Sequence, residues 1–281
     1  MRFGIKTAPQ HTTWVDMVDV WREADRTDVI ESAWTFDHFY PIFSDSTGPC
    51  YEAWTMLAAM AVETSRIRIG CQVTAMIYRH PAVLANMAAT VDVISSGRLD
   101  IGLGAGWNQE ECDAYGIELP PLKERFDRFD EGVEAVVRLL SDTTTTMEGR
   151  HVRLTDARCE PKAVQRPHPP IVIGGRGPNR TLRTVARWAQ HWNAIVASPD
   201  EWVGLKDVLD QRCAEVGRDP SAIESSVNLR LAEGTDPAAI AEQAAAFAEV
   251  GVDIAVVNLS PPHRAADVER LAGALAGLAD A

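Results

Sequence analysis

The sequence predicts a closed (β/α)8 TIM barrel, and three observations carry that expectation. A short apolar strand, a loop rich in glycine or polar residues and an amphipathic helix recur eight times along the chain. The 281 residues are an ordinary length for eight such units. No low-complexity linker divides them, so residues 1–281 read as a single domain. An open doubly wound sheet has the same alternation and similar apolar strands, but the count of eight favours closure.

Residues 2–7 form the first strand. A helix follows from about Trp14 to Asp25, capped by Thr12 or Thr13, with Asp16 in its first turn. Residues 29–36 make the second strand and run into DHFYPIFSDSTGPCYE, a loop of the length that usually carries function. Residues 52–63 are an Ala- and Met-rich helix, 67–74 the third strand, and 81–95 a helix with Pro81 suited to its first turn. The fourth strand is 99–103. From Glu110 to Pro121 no period is evident, and 123–140 is a strongly periodic helix. Residues 143–169 read as an excursion holding a small hairpin, a short insertion between strands 4 and 5. Strands at 171–173, 192–196, 225–231 and 254–259 complete the barrel, with helices at 179–190, 201–216, 237–250 and 265–278.

A formal net charge of −13 disfavours nucleic acid or an anionic membrane surface as partner. No apolar run approaches the ~18 residues that span a bilayer. The opening MRFGIKTAPQ reads as a strand, not as a signal peptide. Cys50, Cys71, Cys112, Cys159 and Cys213 are odd in number and never spaced Cys-x-x-Cys, which fits a reducing cytoplasm. His-x-His, His-Glu-x-x-His and Gly-x-Ser-x-Gly are all absent. A metal site and a serine hydrolase are therefore not expected.

In a barrel, side chains just after each strand meet at the C-terminal rim. The stretch RLDIGLGAGWNQEE at 98–111 ends a strand in Gly104, Ala105 and Gly106 before Trp107. IVIGGRGPNR at 171–180 ends another in Gly174, Gly175, Arg176 and Gly177. Glycines there fit tight loops, or a backbone that a phosphate and a ring approach closely. Amides at the following helix start, with Arg176, Arg180 and Arg183 near, suit a phosphate, although these arginines equally suit a solvated helix face. His38 has the chemistry to move a proton near neutral pH, and it equally suits a bond to a loop carbonyl. Asp37 is its neighbour, but adjacent residues on an extended chain point to opposite sides, so no direct dyad follows. His11, Trp34 and Trp107 stand at other strand ends as pocket walls or as packing.

FDHF at 36–39, YRHPAVLANMAATVDVISSGRLDIGLGAGWNQEE at 78–111, ERFDRFDE at 124–131 and PPIVIGGRGPNRTLRTVARWAQHWN at 169–193 occur in that order. Together they resemble the bacterial luciferase-like flavin and deazaflavin oxidoreductases, and most closely the coenzyme F420-dependent branch. Beyond Val216 the likeness is architectural only. The resemblance implies an F420 site, or alternatively an FMN site, at the barrel rim. Gly104, Ala105 and Gly106 match its phosphate- and ring-adjacent turn, and 174–177 its second phosphate turn. Asp37, Gln72, Val73, Thr74, Trp107 and Arg176 join the expected cofactor contacts. A non-prolyl cis bond is expected at Gln72–Val73. His38 matches a histidine that lies against the ring in related dehydrogenases, and His11, Trp34, Tyr78 and Trp107 are expected to wall the substrate pocket. Trp107 stands where the sugar-phosphate dehydrogenases of the family carry a catalytic acid. Tryptophan transfers no proton, so a larger, more apolar small-molecule substrate is expected. A cytoplasmic homodimer is the expected assembly, and a non-catalytic cofactor-binding barrel remains a further alternative.

Overall fold

Parallel pairing of the first strand with the last closes the sheet into a barrel. The computed structural model describes residues 1–279. In chain order the elements are β1 (Arg2–Thr7), α1 (Trp14–Arg26), β2 (Ile30–Thr35), α2 (Ala53–Glu63), β3 (Arg68–Cys71), β4 (Thr74–Ala75) and α3 (Pro81–Ile94). Then come β5 (Leu99–Gly104), α4 (Gln109–Tyr115), α5 (Leu122–Ser141), β6 (Thr145–Glu148) and β7 (Arg153–Ala157). The chain ends with β8 (Ile171–Gly174), α6 (Thr181–Trp188), β9 (His191–Ala194), α7 (Pro199–Glu215), β10 (Glu224–Leu231), α8 (Pro237–Glu249), β11 (Ile254–Leu259) and α9 (Ala265–Ala279).

Around the ring the order is β1, β2, β3, β5, β8, β9, β10 and β11, every pairing parallel, with Arg2 opposite Ile254 where it closes. The expected (β/α)8 architecture is observed, and the β6–β7 hairpin is the expected insertion between the fourth and fifth barrel strands. Thr13 caps α1, its hydroxyl accepting from the Asp16 N–H at 3.2 Å. Pro81, Pro199 and Pro237 each open a helix, where no intrahelical N–H is needed. Phe3, Ile5, Ile69, Ile101, Leu103 and Ile173 belong to the main core shared with the helices, while Trp34, Val172, Ile254 and Val256 form a smaller buried cluster.

Two expectations change. The expected cis Gln72–Val73 peptide is present, but the third strand is not continuous over 67–74: it ends at Cys71 and the chain rejoins the sheet as β4 against Leu103 and Gly104. Residues 109–115 are a short helix, not an irregular stretch: Asn108 caps its start and Gly116, at φ +65°, ends it. Seven residues are too few to show a helical period, which is why composition alone reads as a loop there.

Candidate active site

His38 leaves β2 on the long rim loop and is 8% exposed. Its Nδ1 lies 2.7 Å from Glu111 Oε2. Glu111, in the first turn of α4, is fully buried and also accepts hydrogen bonds from Tyr78 Oη (2.9 Å) and from the backbone N–H groups of Phe39 (2.6 Å) and Tyr40 (2.9 Å). Burial pushes the Glu111 carboxyl upward, but His38 and these other donors outweigh it and hold the group below the usual carboxylate range. An ionised carboxylate has no hydrogen to give, so His38 Nδ1 donates, and in the neutral ring Nε2 carries the lone pair. The result is an oriented imidazole with one nitrogen free to exchange a proton.

Asp37 does not share in this. It is buried and held by both terminal nitrogens of Arg79, whose Nη2 also reaches Glu52. The carboxylate expected among the cofactor contacts is thus committed to an internal ion pair that ties the β2 loop to the start of α3.

Aromatic rings surround His38. Phe36 meets it edge-on at 5.0 Å between centroids, and Trp107 at 5.5 Å. Phe43, 91% exposed, stacks on Trp107 with 8° between planes. Phe36 and Phe43 also line a rim cleft of about 480 Å³, whose other walls include Lys6, Gln10, His11 and Arg230. His11 sits where the sequence predicts, but its Nε2 is engaged with Ser44 Oγ and the Asp45 carbonyl, so the ring anchors the rim loop.

The glycine-rich strand ends lie side by side, because β5 and β8 are paired. Val73 fills the space beside them. A Cβ at Gly104 would come 2.7 Å from Val73 Cγ2, and one at Gly174 3.0 Å from Val73 Cγ1. These two glycines make room for the chain's own Val73. Gln72, 4% exposed, has both side-chain amide atoms buried without a partner among the described residues. Such an amide is suited to the paired donor and acceptor edge of a pyrimidine-like ring. The α6 start has no side-chain cap, unlike α1 and α7, which leaves amide donors for a phosphate. The Gly175 N–H is already bonded to the Asn193 carbonyl, and the Gly106 carbonyl accepts from Arg125. Ala105 packs half-buried against the core, and the Gly177 carbonyl accepts from the Leu182 N–H.

Several expected contacts are placed elsewhere. Trp34 is 1% exposed inside the barrel, donates to Ser32 Oγ at 2.9 Å and borders a cavity at the N-terminal end, so it walls no rim pocket. Strand alternation explains the error: a residue at the strand's inner face need not lie at its rim. Tyr78 donates its hydroxyl to Glu111, the carboxylate that also holds His38, and so supports that pair. Thr74 is buried and accepts from Trp54 Nε1 at 2.9 Å. Arg176 is exposed and paired with Glu201, while Arg180 bonds Asp127 and Asp130 of α5, leaving neither free for a phosphate. Sequence reasoning missed Glu111, Arg79, Lys6 and Arg230. For Lys6 a signal existed: in RFGIKT, Phe3 and Ile5 share one face, which puts Gly4 and Lys6 on the other. Among the described residues no group of three His, Cys, Asp or Glu could hold a metal ion, and no helix is long and apolar enough to cross a membrane.

The profile of the luciferase-like monooxygenase family matches residues 1–280. An uncharacterised protein of Mycobacterium tuberculosis is 31% identical over 230 residues, covering 80% of this chain and 76% of the relative. An F420-dependent glucose-6-phosphate dehydrogenase of Microbacterium testaceum is 28% identical over 239 residues, 84% of this chain and 69% of the relative. An F420-dependent secondary alcohol dehydrogenase, solved with an F420–acetone adduct, superposes with a TM-score of 0.88 at 19% identity, covering 99% of this chain and 98% of that one.

Proposed function

Because the chain belongs to the luciferase-like monooxygenase family, a family of oxidoreductases, we propose that it passes a hydride between coenzyme F420 and a small, largely apolar organic substrate. The observation that carries this reading is the His38–Glu111 pair, with His38 edge-on to Phe36, a residue that lines the rim cleft. The bound deazaflavin would supply the carbon that gives or takes the hydride. Gln72, Val73 and the strand ends at 104–106 and 174–177 are the residues that would hold it.

The chain's own residues supply the rest. His38 Nε2 takes the proton from a substrate hydroxyl, or gives one to a carbonyl in the reverse direction. Glu111 keeps the tautomer correct and steadies the imidazolium that forms. Phe43 stacks on Trp107 beside His38, and neither ring can act as an acid. With Trp107 in that place, a sugar phosphate is a poor fit and a flatter, less polar substrate a better one.

The cofactor assignment is tested first by the absorbance of the purified protein, then by fluorescence titration with F420 and with FMN. Tight F420 binding and none of FMN is expected. The opposite order makes the protein a flavin enzyme. His38→Ala should lower turnover by ~10²-fold or more with F420 affinity retained. Tight F420 binding with no turnover on any ring-containing panel would leave a binding barrel only.

A further inference from the structure

We infer that the substrate carries a carboxylate, held in the rim cleft by Lys6 and Arg230. The inference deepens the oxidoreductase reading and rests on it. Lys6 lies on β1 and Arg230 on β10, and both line the rim cleft together with Asn228 and Asn258. The one hydrogen bond from Lys6 Nζ goes to the Gln72 backbone carbonyl, at 2.8 Å. Among the described residues neither Lys6 nor Arg230 has a carboxylate within 4.0 Å. Acids outnumber bases by 13 in this chain, so two cations left together without a counter-ion do not reflect a shortage of acids. Burial holds the Lys6 ammonium down to about 8, a cost that an anionic partner would offset. Asn228 donates from Nδ2 to Asn193 Oδ1 at 3.1 Å, so the two cations, not this amide, supply the charge for an anion.

Position separates this end from the cofactor's phosphate. In the ring of eight strands, β1 lies opposite β8 and β11 opposite β5. The β1 and β10 ends that carry the cations are therefore not the β5 and β8 ends proposed for the phosphate, although the Lys6 ammonium also reaches the Gln72 carbonyl beside the proposed ring site. Phe36 stands on the path from the cations to His38. A substrate with an acid at one end and an apolar body would have that body carried along Phe36 toward His38. Arginine with lysine suits a carboxylate: the guanidinium offers a planar fork and the ammonium a point charge.

The test uses benzoate and its neutral isostere benzamide, titrated into the full-length protein with and without saturating F420. Binding is followed by tryptophan fluorescence and calorimetry. Benzoate should bind at least tenfold more tightly than benzamide. Arg230→Gln, at an exposed position, should remove that preference while changing F420 affinity less than twofold. Lys6→Met should also remove the preference for benzoate, with circular dichroism confirming its fold; F420 affinity is read on Arg230→Gln alone, because Lys6 also supports the Gln72 carbonyl. Equal binding of the two probes, no saturable benzoate binding, or an Arg230→Gln variant that keeps the preference overturns the inference. So does a loss of F420 affinity in Arg230→Gln as large as the loss for benzoate, since the cations would then serve the cofactor. A protein that binds no F420 yet still prefers benzoate loses the cofactor assignment and keeps the carboxylate subsite.

Discussion

Glu111 Oε2 lies 2.7 Å from His38 Nδ1 across the rim, although 73 residues separate the two in the chain. Glu111→Gln tests what this contact does. A glutamine can still accept from the Phe39 and Tyr40 amides, but it cannot enforce a hydrogen on Nδ1. Turnover should fall by ~10²-fold, in the range general acid–base catalysis contributes. Loss of charge-assisted bonds should cost about 1–3 kcal/mol in a urea melt. The 15N shifts of the imidazole give the decisive reading: a hydrogen moving from Nδ1 to Nε2 is expected. An unchanged tautomer with unchanged turnover would leave Glu111 a merely structural acid.

Val73 beside Gly104 is a second relationship that a single methyl can probe. A Cβ at Gly104 would come 2.7 Å from Val73 Cγ2, so Gly104→Ala should cost about 1–3 kcal/mol by overpacking. It should also weaken F420 binding, because the displaced valine lies where the ring is proposed to rest. Val73→Ala in the same chain should restore most of the stability, giving a favourable coupling in the double-mutant cycle. Additive losses would show that the two side chains do not compete for the same space.

The barrel was legible because strand, loop and helix alternate with strong period, and because Pro81, Thr13 and the apolar cores of β8 and β11 mark their elements locally. The rim was only partly legible. His38, Trp107 and the two glycine-rich ends are where the sequence puts them. Trp34 was misplaced because a strand pattern tells which face a residue takes, not how far along the barrel its ring reaches. Glu111 was hidden because its partners, His38, Tyr78 and two backbone amides, come from distant parts of the chain. Asp37 illustrates the same point from the other side: a polar residue beside a candidate catalytic histidine invites a functional role, yet Arg79 claims it.

Asp37→Asn separates those two roles. The side chain is fully buried against Arg79, so neutralising it leaves the guanidinium with Glu52 as its remaining partner. Breaking one side of a buried pair costs about 3–5 kcal/mol, and the isosteric amide should retain part of that. A loss of roughly 2 kcal/mol with F420 affinity within threefold of wild type is expected. A large drop in affinity with an unchanged melting temperature would instead make Asp37 a cofactor contact.

His191 supplies a pH test far from the rim. It sits buried at the N-terminal end of the barrel, its Nε2 bonded to Ser226 Oγ at 2.7 Å. Burial, reinforced by Arg2 and Arg68, pushes its pKa down to about 3. The unfolded chain takes up a proton at this histidine near pH 6.5, and the folded protein does not until about pH 3. Between those values the unfolded state holds the extra proton, so the His191 contribution to stability falls as pH falls, by ~1.4 kcal/mol per pH unit. His191→Gln lacks a titrating ring and should escape this loss while offering an amide to Ser226. From pH 6.5 to 5, above most carboxylate titration, wild type should therefore lose about 2 kcal/mol more than the variant in urea melts. Parallel pH profiles for the two proteins would mean that burial does not hold His191 neutral in the folded state.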